Sequence, residues 1–250
     1  MLSGKKNLWV SVVVPLAIAA GLGAVLVLAV ASSSSSANAG AEPLLFSKAK
    51  ILIELNATAQ DAGIQMLLDG EGWEWVNVFS PKGAKVLDIR ATGSVGQIGV
   101  TELFFESAEP SLEDLPLEDL LSMFPEGKYR IEGRSVEGRD MRGTAVLKHD
   151  IPGGPLVVVP LKGGVTDHRN TVIDWLPVVS PAGIQIAGYQ VIVELEAPLR
   201  IFSVDLPATV TAVTVPAEFL EAGKEYKFEV LVITKSGNQT ITESTFVTAP

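Results

Sequence analysis

The sequence contains no cysteine, which excludes a disulfide scaffold, a thiol nucleophile and any zinc site built on cysteine. Only two of the 250 residues are histidine, and this argues against a histidine-rich metal centre. Acidic residues outnumber basic ones by 29 to 19, and the resulting net charge of -10 speaks against nucleic-acid binding, because phosphate is repelled. The sequence also lacks a nucleophile elbow and a phosphate-binding loop. We therefore expect neither catalysis nor a cofactor.

The N-terminal segment has the pattern of an export signal. Lys5 and Lys6 form a basic head, residues 8–31 carry no charge, and Ala37-Asn38-Ala39 is a small-residue cleavage site. The uncharged stretch of 24 residues is longer than an ordinary signal core and could span a bilayer. Residues 1–39 are therefore either a cleaved signal peptide or a membrane anchor held by residues 8–31. Both alternatives place the rest of the chain in a periplasmic or extracellular space, since the positive head stays inside.

The first exported piece consists of short segments in which apolar and polar residues alternate, as in β-strands. After a predicted linker over residues 40–47, such segments and their partner strands cover residues 50–56, 63–69, 73–79, 85–91, 127–135 and 139–149. Residues 116–124 instead have apolar side chains at helical spacing between two prolines. The pattern predicts a β-sandwich over residues 48–150 with one short helix near 116–124.

Alternation in one of these strands places Trp73 and Trp75 on the same face. Exposed aromatic side chains are typical of carbohydrate sites, whereas buried ones are ordinary core residues. We expect the two tryptophans to pack in the core, with a glycan platform as the alternative.

A Pro- and Gly-rich stretch divides the exported region into two pieces of about a hundred residues, which is the common domain size. Residues 151–155 contain two prolines and two glycines and form a predicted linker, and the second piece covers residues 156–250. His149 and His168 lie close to this linker. We interpret both as solvated hinge residues rather than as catalytic groups.

The second piece carries a set of core and turn residues in a characteristic order. A strand ending at Trp175 is followed by a Gly-Tyr strand with Tyr189 and then by Leu220-Glu221-Ala222-Gly223-Lys224-Glu225-Tyr226-Lys227-Phe228. This order resembles a fibronectin type III domain over residues 155–250, and the last segment resembles its tyrosine corner. The resemblance implies a tight turn at Gly223 and a hydrogen bond from the Tyr226 hydroxyl to upstream backbone. It also implies structural roles in the core for Trp175, Tyr189, Leu220 and Phe228.

The first piece has a fainter version of the same corner, in which Gly127 precedes Tyr129 by two residues. We therefore predict an all-β protein with two tandem immunoglobulin-like or fibronectin type III-like sandwiches. The fibronectin type III resemblance implies adhesion, recognition or mechanical spacing, by analogy of fold.

Oxygen-bearing side chains in the first piece suggest a calcium site at Asn56, Asp61, Glu102 and Glu106. A solvated strand edge and turn explain the same residues and are the interpretation that we prefer, since the spacing is not that of an EF-hand. Asn56 and Asn238 also begin matches to the N-glycosylation pattern, which is usually found on surface loops.

Together these features predict an exported, non-catalytic module for binding, adhesion or spacing. Its partner would be a protein or a glycan in the cell envelope or outside the cell. The alternative is an accessory subunit of an exported enzyme system that binds a glycan or calcium. A small exported hydrolase is a third possibility, although no catalytic motif supports it.

Overall fold

The structure is a computed structural model that describes residues 42–179, 181 and 183–250. The predicted signal or anchor therefore lies outside the described residues. Within these residues, none of the helices has the length and apolar character needed to cross a membrane. The described chain forms fifteen strands and two short helices, which confirms the all-β class.

The first sandwich contains seven strands and both helices. Its strands are β1 (Leu44–Leu45), β2 (Lys48–Asn56), β3 (Asp61–Phe79), β4 (Lys85–Arg90), β5 (Val100–Glu106), β6 (Gly127–Ser135) and β7 (Asp140–Leu147). Helix α1 (Gly93–Ile98) precedes β5, and α2 (Leu117–Met123) corresponds to the predicted helix. Phe46, in the predicted linker, is buried in the core, and β1 pairs with β7. The described sandwich therefore begins before the predicted boundary at residue 48.

Strand β3 belongs to both layers of the first sandwich. It is a single strand of 19 residues, whereas the sequence predicted two strands, at 63–69 and 73–79. Its first half pairs with β2 and β5, and its second half pairs with β4 and β6. Gly70 and Gly72 lie where the register shifts. Because glycine tolerates bends in a strand, the chain changes layers here without breaking the strand.

The register of β3 also shifts between Trp73 and Trp75, and this corrects the prediction that they share a face. Trp73 is completely buried in the core with Val76, while Trp75 is only partly buried. Trp75 lies directly opposite Arg90 and Arg134 on the outer side. A one-residue irregularity reverses the alternation of side chains, so the expected pair of tryptophans does not form.

The second sandwich contains eight strands in two sheets. Its strands are β8 (Leu156–Val159), β9 (Gly164–Thr166), β10 (Val172–Leu176), β11 (Ile186–Glu196), β12 (Leu199–Pro207), β13 (Ala212–Thr214), β14 (Glu225–Thr234) and β15 (Gln239–Thr248). One sheet has the order β13-β10-β8, and the other has the order β12-β11-β14-β15, with β9 beside β15. The core between them contains the predicted Trp175, Tyr189, Leu220, Tyr226 and Phe228.

The tyrosine corner has the hydrogen bond that the motif predicts, with an unexpected direction. The backbone N–H of Glu221 donates to the Tyr226 hydroxyl over 2.7 Å, so the hydroxyl is the acceptor. Gly223 adopts a φ of 67°, a left-handed conformation that glycine reaches without strain. In the first sandwich, the buried Tyr129 donates its hydroxyl proton to the carbonyl of Pro125 over 3.1 Å. Each sandwich thus has one buried tyrosine that fixes the turn before its strand.

One sheet runs through both sandwiches. Strand β2 pairs with β15 in parallel through three residue pairs, Glu54 to Asn56 against Gln239 to Ile241. The Ala57 N–H extends this ladder by donating to the Ile241 carbonyl over 2.9 Å. We call this contact between the two sandwiches the seam. It consists of residues 53–57, residues 238–243 and residues 150–154, together with the side chains that cover the paired strands. The two cores lie on either side of the seam.

Candidate functional site

The four residues predicted to bind calcium lie in two groups. Asn56 and Asp61 face each other where β2 turns into β3, and Glu102 and Glu106 lie on β5. The carbonyl oxygen of the Asn56 side chain accepts the N–H groups of Thr58 and Ala59, and thus holds the turn together. Its amide donates to Glu243 over 2.7 Å. Asn56 therefore has a structural role in the seam.

Glu102 does not approach the other three residues. It is exposed and lies opposite Asp69, whereas Glu106 lies opposite Gln65. Four residues along a strand separate the two glutamates by about 13 Å. Calcium binding stays a prediction, and the structure offers a different carboxylate group around Glu106.

Three glutamates meet at the edge of the seam. Carboxylate oxygens of Glu54, Glu106 and Glu109 all lie within 4.8 Å of one another, and they are referred to as the glutamate cluster. Glu54 is 3% exposed, although its side chain is ionisable. A hydrogen bond between the Glu54 and Glu109 carboxyl groups at this separation is possible only when one of the two holds a proton. The cluster can therefore hold protons near neutral pH.

Local packing explains why Glu109 reaches Glu54. Gly63 lies opposite Glu54, and a Cβ at this position would come within 2.9 Å of the Glu109 side chain. The missing side chain leaves room for Glu109 over the sheet. Ser107 fixes the segment, since its hydroxyl accepts the Ile64 N–H over 2.9 Å and donates to the Ala108 carbonyl over 2.9 Å.

Two glutamines connect the cluster across the seam. Gln239 on β15 donates its side-chain amide to Glu54 and, over 3.3 Å, to the side-chain oxygen of Gln65. Gln65 in turn donates to Glu106 over 3.0 Å. The second sandwich is thus linked to two of the three glutamates through neutral amides.

The second sandwich adds carboxyl groups of its own. Glu229 on β14 and Glu243 on β15 are directly opposite each other. Asp61 also lies near Glu243, and one of its carboxylate oxygens is buried without a hydrogen-bond partner. The neighbouring charges that raise the pKa values of Glu54, Glu109 and Glu229 are all carboxylates. Like charges therefore accumulate in the seam.

Burial and mutual repulsion raise the pKa values of these groups. Desolvation, which the repulsion from Glu106 reinforces, raises the pKa of Glu54 to about 7. Desolvation and the neighbouring Glu54 raise the pKa of Glu109 to about 8. Desolvation and Glu243 raise the pKa of Glu229 to about 7. The pKa values of Glu106 and Asp61 are also raised, chiefly by burial. The seam can therefore exchange protons in the neutral range.

Asn238 is the most extensively bonded side chain of the seam. It lies in the β14–β15 hairpin of the second sandwich and is 1% exposed. Its oxygen accepts the Ile53 N–H over 2.9 Å, and its amide donates to the Lys148 carbonyl over 2.8 Å and to the Asp150 carboxylate over 3.1 Å. Because Asn56 and Asn238 are both buried and bonded, neither has the surface position that the glycosylation pattern suggested.

The predicted linker is packed against β15. Pro152 is buried, and its carbonyl accepts a hydrogen bond from the Thr240 hydroxyl over 2.7 Å. The Asp150 carboxylate accepts a hydrogen bond from the Ser236 hydroxyl over 2.6 Å. His149 is half-buried with its ring nitrogen 2.8 Å from the Phe124 carbonyl, so the interpretation of this histidine as a solvated hinge residue is corrected. His168 is also only partly exposed, 3.9 Å from Asp167.

Sequence reasoning missed Glu54, Glu109 and Gln239 as parts of one site. Gln239 and Glu54 are 185 positions apart, so no local spacing relates them. The available signal was the charge at Glu54 within the otherwise apolar run from Ile51 to Leu55, together with the small Gly63 opposite it. The same signal gives no indication of which distant strand covers the glutamate.

Comparison with solved structures finds fibronectin type III domains. The FN1–FN3 domains of chicken CNTN1 match over 83% of this chain and 65% of theirs, with 13% identity and a TM-score of 0.33. A two-domain segment of chicken tenascin matches over 82% of this chain and 97% of its own, with 9% identity and a TM-score of 0.29. The third fibronectin III domain of the human KIAA0343 protein matches over 41% of this chain and 88% of its own, with 19% identity and a TM-score of 0.33.

No protein-family model matches the chain, and no curated protein matches its sequence. The chain spans about two thirds of the CNTN1 fragment. The strand order of the second sandwich and its tyrosine corner agree with the resemblance seen in the sequence. The second sandwich has a fibronectin type III-like fold.

Proposed function

We propose that this chain is an exported, non-catalytic module that spaces or presents a binding surface at a fixed geometry. Fibronectin type III-like sandwiches commonly serve as adhesion or spacing modules, although a fold alone does not determine a function. The proposal of export depends on the basic head, the uncharged stretch and the small-residue site of the N-terminal sequence. A protein or glycan of the envelope or the extracellular space would be the partner.

The observation that carries the spacer function is the continuous sheet. Two domains joined only by a flexible linker are expected to move relative to each other. Here three pairs of residues in adjacent strands and the bonds of Asn238 connect the two sandwiches, and the linker is packed. Such a connection keeps the outer ends of the two sandwiches at a constant separation, which is what a spacer requires.

A strand edge of the second sandwich favours a protein as the partner. Strand β8 forms the edge of the three-stranded sheet, and Leu156 and Val159 are exposed on it. An extended segment of a partner could add to this edge as a further strand. Pro155 and Pro160 flank the strand and limit such pairing to four residues. The glycan alternative has weaker support, since Trp73 is buried and no pair of tryptophans is displayed among the described residues.

Distance measurement between spin labels tests the fixed geometry. The natural sequence has no cysteine, so Lys82→Cys and Glu218→Cys place unique labels on exposed sites of the two sandwiches. At pH 6 we expect one narrow distance distribution in the full chain. A matched control pair within the first sandwich, Lys82→Cys with Glu113→Cys, gives the width that a rigid body produces. A clearly broader or bimodal distribution between the sandwiches would reject the spacer function.

Cell fractionation tests the export part of the proposal separately. We expect the tagged protein in the envelope or the medium, with a mature N-terminus at Gly40 if the signal is cleaved. Recovery of the unprocessed protein in the soluble cytoplasmic fraction would contradict export without affecting the spacer geometry.

A further inference from the structure

The seam combines two kinds of contact that respond differently to pH. The three residue pairs of β2 and β15 and the bonds of Asn238 involve neutral groups for the most part. Beside them, the glutamate cluster and the carboxyl groups of the second sandwich lie close together in a largely buried position. Neutral contacts are insensitive to pH, whereas buried carboxyl groups repel one another as soon as they lose their protons.

The charged groups of the cluster, those that face it and those around the neighbouring Glu229 are predominantly acidic. They are Glu54 on β2, Asp61 on β3, Glu106 on β5, Glu109 after β5, Glu194 and Glu196 on β11, Lys227 and Glu229 on β14, and Glu243 on β15. Lys227 forms an ion pair with Glu196. A negative charge on Glu54 is therefore repelled by the neighbouring carboxylates.

A proton shared between Glu54 and Glu109, whose carboxylate oxygens lie within 4.8 Å of each other, would relieve this repulsion. Two ionised carboxylates can only accept hydrogen bonds, so a bond between them needs a proton on one side. Glu54 is also bonded to Gln239, which belongs to the other sandwich. Loss of the proton therefore adds a negative charge next to a group that connects the two sandwiches.

We propose that the glutamate cluster is a pH-sensitive clasp, which holds the two sandwiches together while Glu54 and Glu109 share a proton and loosens when that proton is lost. The raised pKa values of Glu54, Glu109 and Glu229 place this loss in the neutral to mildly alkaline range. The clasp goes beyond the spacer function, because it describes a condition under which the fixed geometry is given up. It does not depend on export or on the identity of a partner.

Two backbone amides report directly on the clasp. The Ile53 N–H donates to the Asn238 side chain and the Ala57 N–H donates to the Ile241 carbonyl, so both bonds cross the seam. The Trp175 N–H donates to the Thr211 carbonyl within the second sandwich and serves as an internal reference. Hydrogen exchange of these amides, followed by NMR in the full chain, separates opening of the seam from unfolding of the second sandwich.

The expected result is a pH-dependent loss of protection at the seam alone. Between pH 6 and pH 8.5, the protection factors of Ile53 and Ala57 relative to Trp175 fall at least about tenfold, the equivalent of one unit of pKa. The double variant Glu54→Gln and Glu109→Gln mimics the protonated pair, and its relative protection changes by less than about twofold over this range. The control Glu102→Gln and Glu113→Gln removes two exposed acids and keeps the tenfold fall.

Three results would overturn the clasp. One is constant relative protection of the seam from pH 6 to pH 8.5 in the unmodified chain, which would still leave a rigid spacer. Another is an equal fall in the unmodified chain and in the glutamine variant. The third is full restoration of protection at pH 8.5 by CaCl2 that EDTA reverses, because a cation site would then explain the cluster.

A measurement on the unmodified protein covers the case in which the glutamine variant does not fold. Carbon-13 labelling of the glutamate carboxyl groups allows each titration to be followed by NMR. The clasp requires at least two glutamate carboxyl groups that titrate above pH 6 in the folded chain. Titration of every glutamate below pH 5.5 would overturn it.

Discussion

Strands β14 and β15 have two faces that are stabilised in opposite ways. Toward the interior of the second sandwich they present Phe228 and Phe246, both buried, with ring centroids 5.9 Å apart. Toward the seam they present Glu229, Gln239 and Glu243, which meet acidic side chains. The first face is stabilised by apolar burial, while the second depends on amide hydrogen bonds and bound protons. The same two strands thus contribute a permanent core and a conditional interface.

The largest effect is expected from opening the core. Trp175→Ala removes a side chain that is 1% exposed, so we expect a loss of about 3–5 kcal/mol in the free energy of unfolding of the second sandwich. Trp75→Ala is the matched control, because this tryptophan is only partly buried on the outer side of the first sandwich. For this control, the loss in the free energy of unfolding should stay below about 1.5 kcal/mol. Urea unfolding of the full chain measures both, and similar losses would contradict the assignment of the core.

The next effect comes from breaking the neutral part of the seam. Asn238→Ala leaves the Ile53 N–H and the Lys148 carbonyl without their partners in a buried position. We expect a loss of about 2–3 kcal/mol in stability. Asn170→Ala, which changes an exposed asparagine, should stay within about 0.5 kcal/mol of the unmodified protein. If the two variants are equally stable, the Asn238 contacts do not hold the seam.

The conditional part of the seam predicts that stability falls as pH rises. The pKa values of Glu54, Glu109 and Glu229 are about 7, 8 and 7 in the folded chain, above the usual 4.5. The folded state then binds more protons than the unfolded state between pH 4.5 and 8. The stabilisation from these bound protons is complete below about pH 4.5 and is lost as the pH rises to about 8. After allowance for screening by solvent, we expect the free energy of unfolding to fall by roughly 2 kcal/mol over this range.

Chemical denaturation of the unmodified chain and of the variant Glu54→Gln with Glu109→Gln measures this dependence. The difference between their pH profiles isolates the cluster from the many surface acids. If the stability of the unmodified chain instead rises with pH relative to the variant, the cluster does not bind protons more tightly in the folded state.

The smallest effects are expected at the two tyrosines. Tyr226→Phe and Tyr129→Phe each remove one hydroxyl and keep the ring, at a cost of about 1 kcal/mol. The two hydroxyls act in opposite senses, since Tyr226 accepts from an N–H and Tyr129 donates to a carbonyl. Urea unfolding should nevertheless give similar losses, provided that each tyrosine fixes a turn. A loss at only one position would show that the two corners are not equivalent.

The part of the fold that the sequence predicted consists of local patterns. The corner from Leu220 to Phe228 and the helix near 116–124 each lie within about ten residues, so their spacing alone indicates their structure. The bend of β3 was missed, because Gly70 and Gly72 suggest a break as readily as a bend. The irregularity between Trp73 and Trp75 also has no sign in the alternation, and it reversed the predicted face of Trp75.

The candidate site was less predictable than the fold for a physical reason. Glu106 was singled out as a ligand, but the carboxylates that lie next to it, Glu54 and Glu109, come from other parts of the chain. The parallel pairing of β2 with β15 brings Gln239 to Glu54 across 185 positions. A Pro- and Gly-rich linker suggests flexibility, whereas Asp150 and Pro152 are held by side chains of the β14–β15 hairpin and β15. Such contacts follow from the tertiary structure alone.

We infer that the seam makes the two sandwiches unfold as one cooperative unit at acidic pH. Each core has its own buried tryptophan, Trp73 in the first and Trp175 in the second. In the variant Trp9→Phe with Trp75→Phe, 5-fluorotryptophan labelling therefore gives each sandwich one fluorine NMR signal. During urea unfolding of the full chain at pH 5.5, we predict that both signals change at the same urea concentration. Two well-separated midpoints at this pH would contradict the claim, because the sandwiches would then unfold independently.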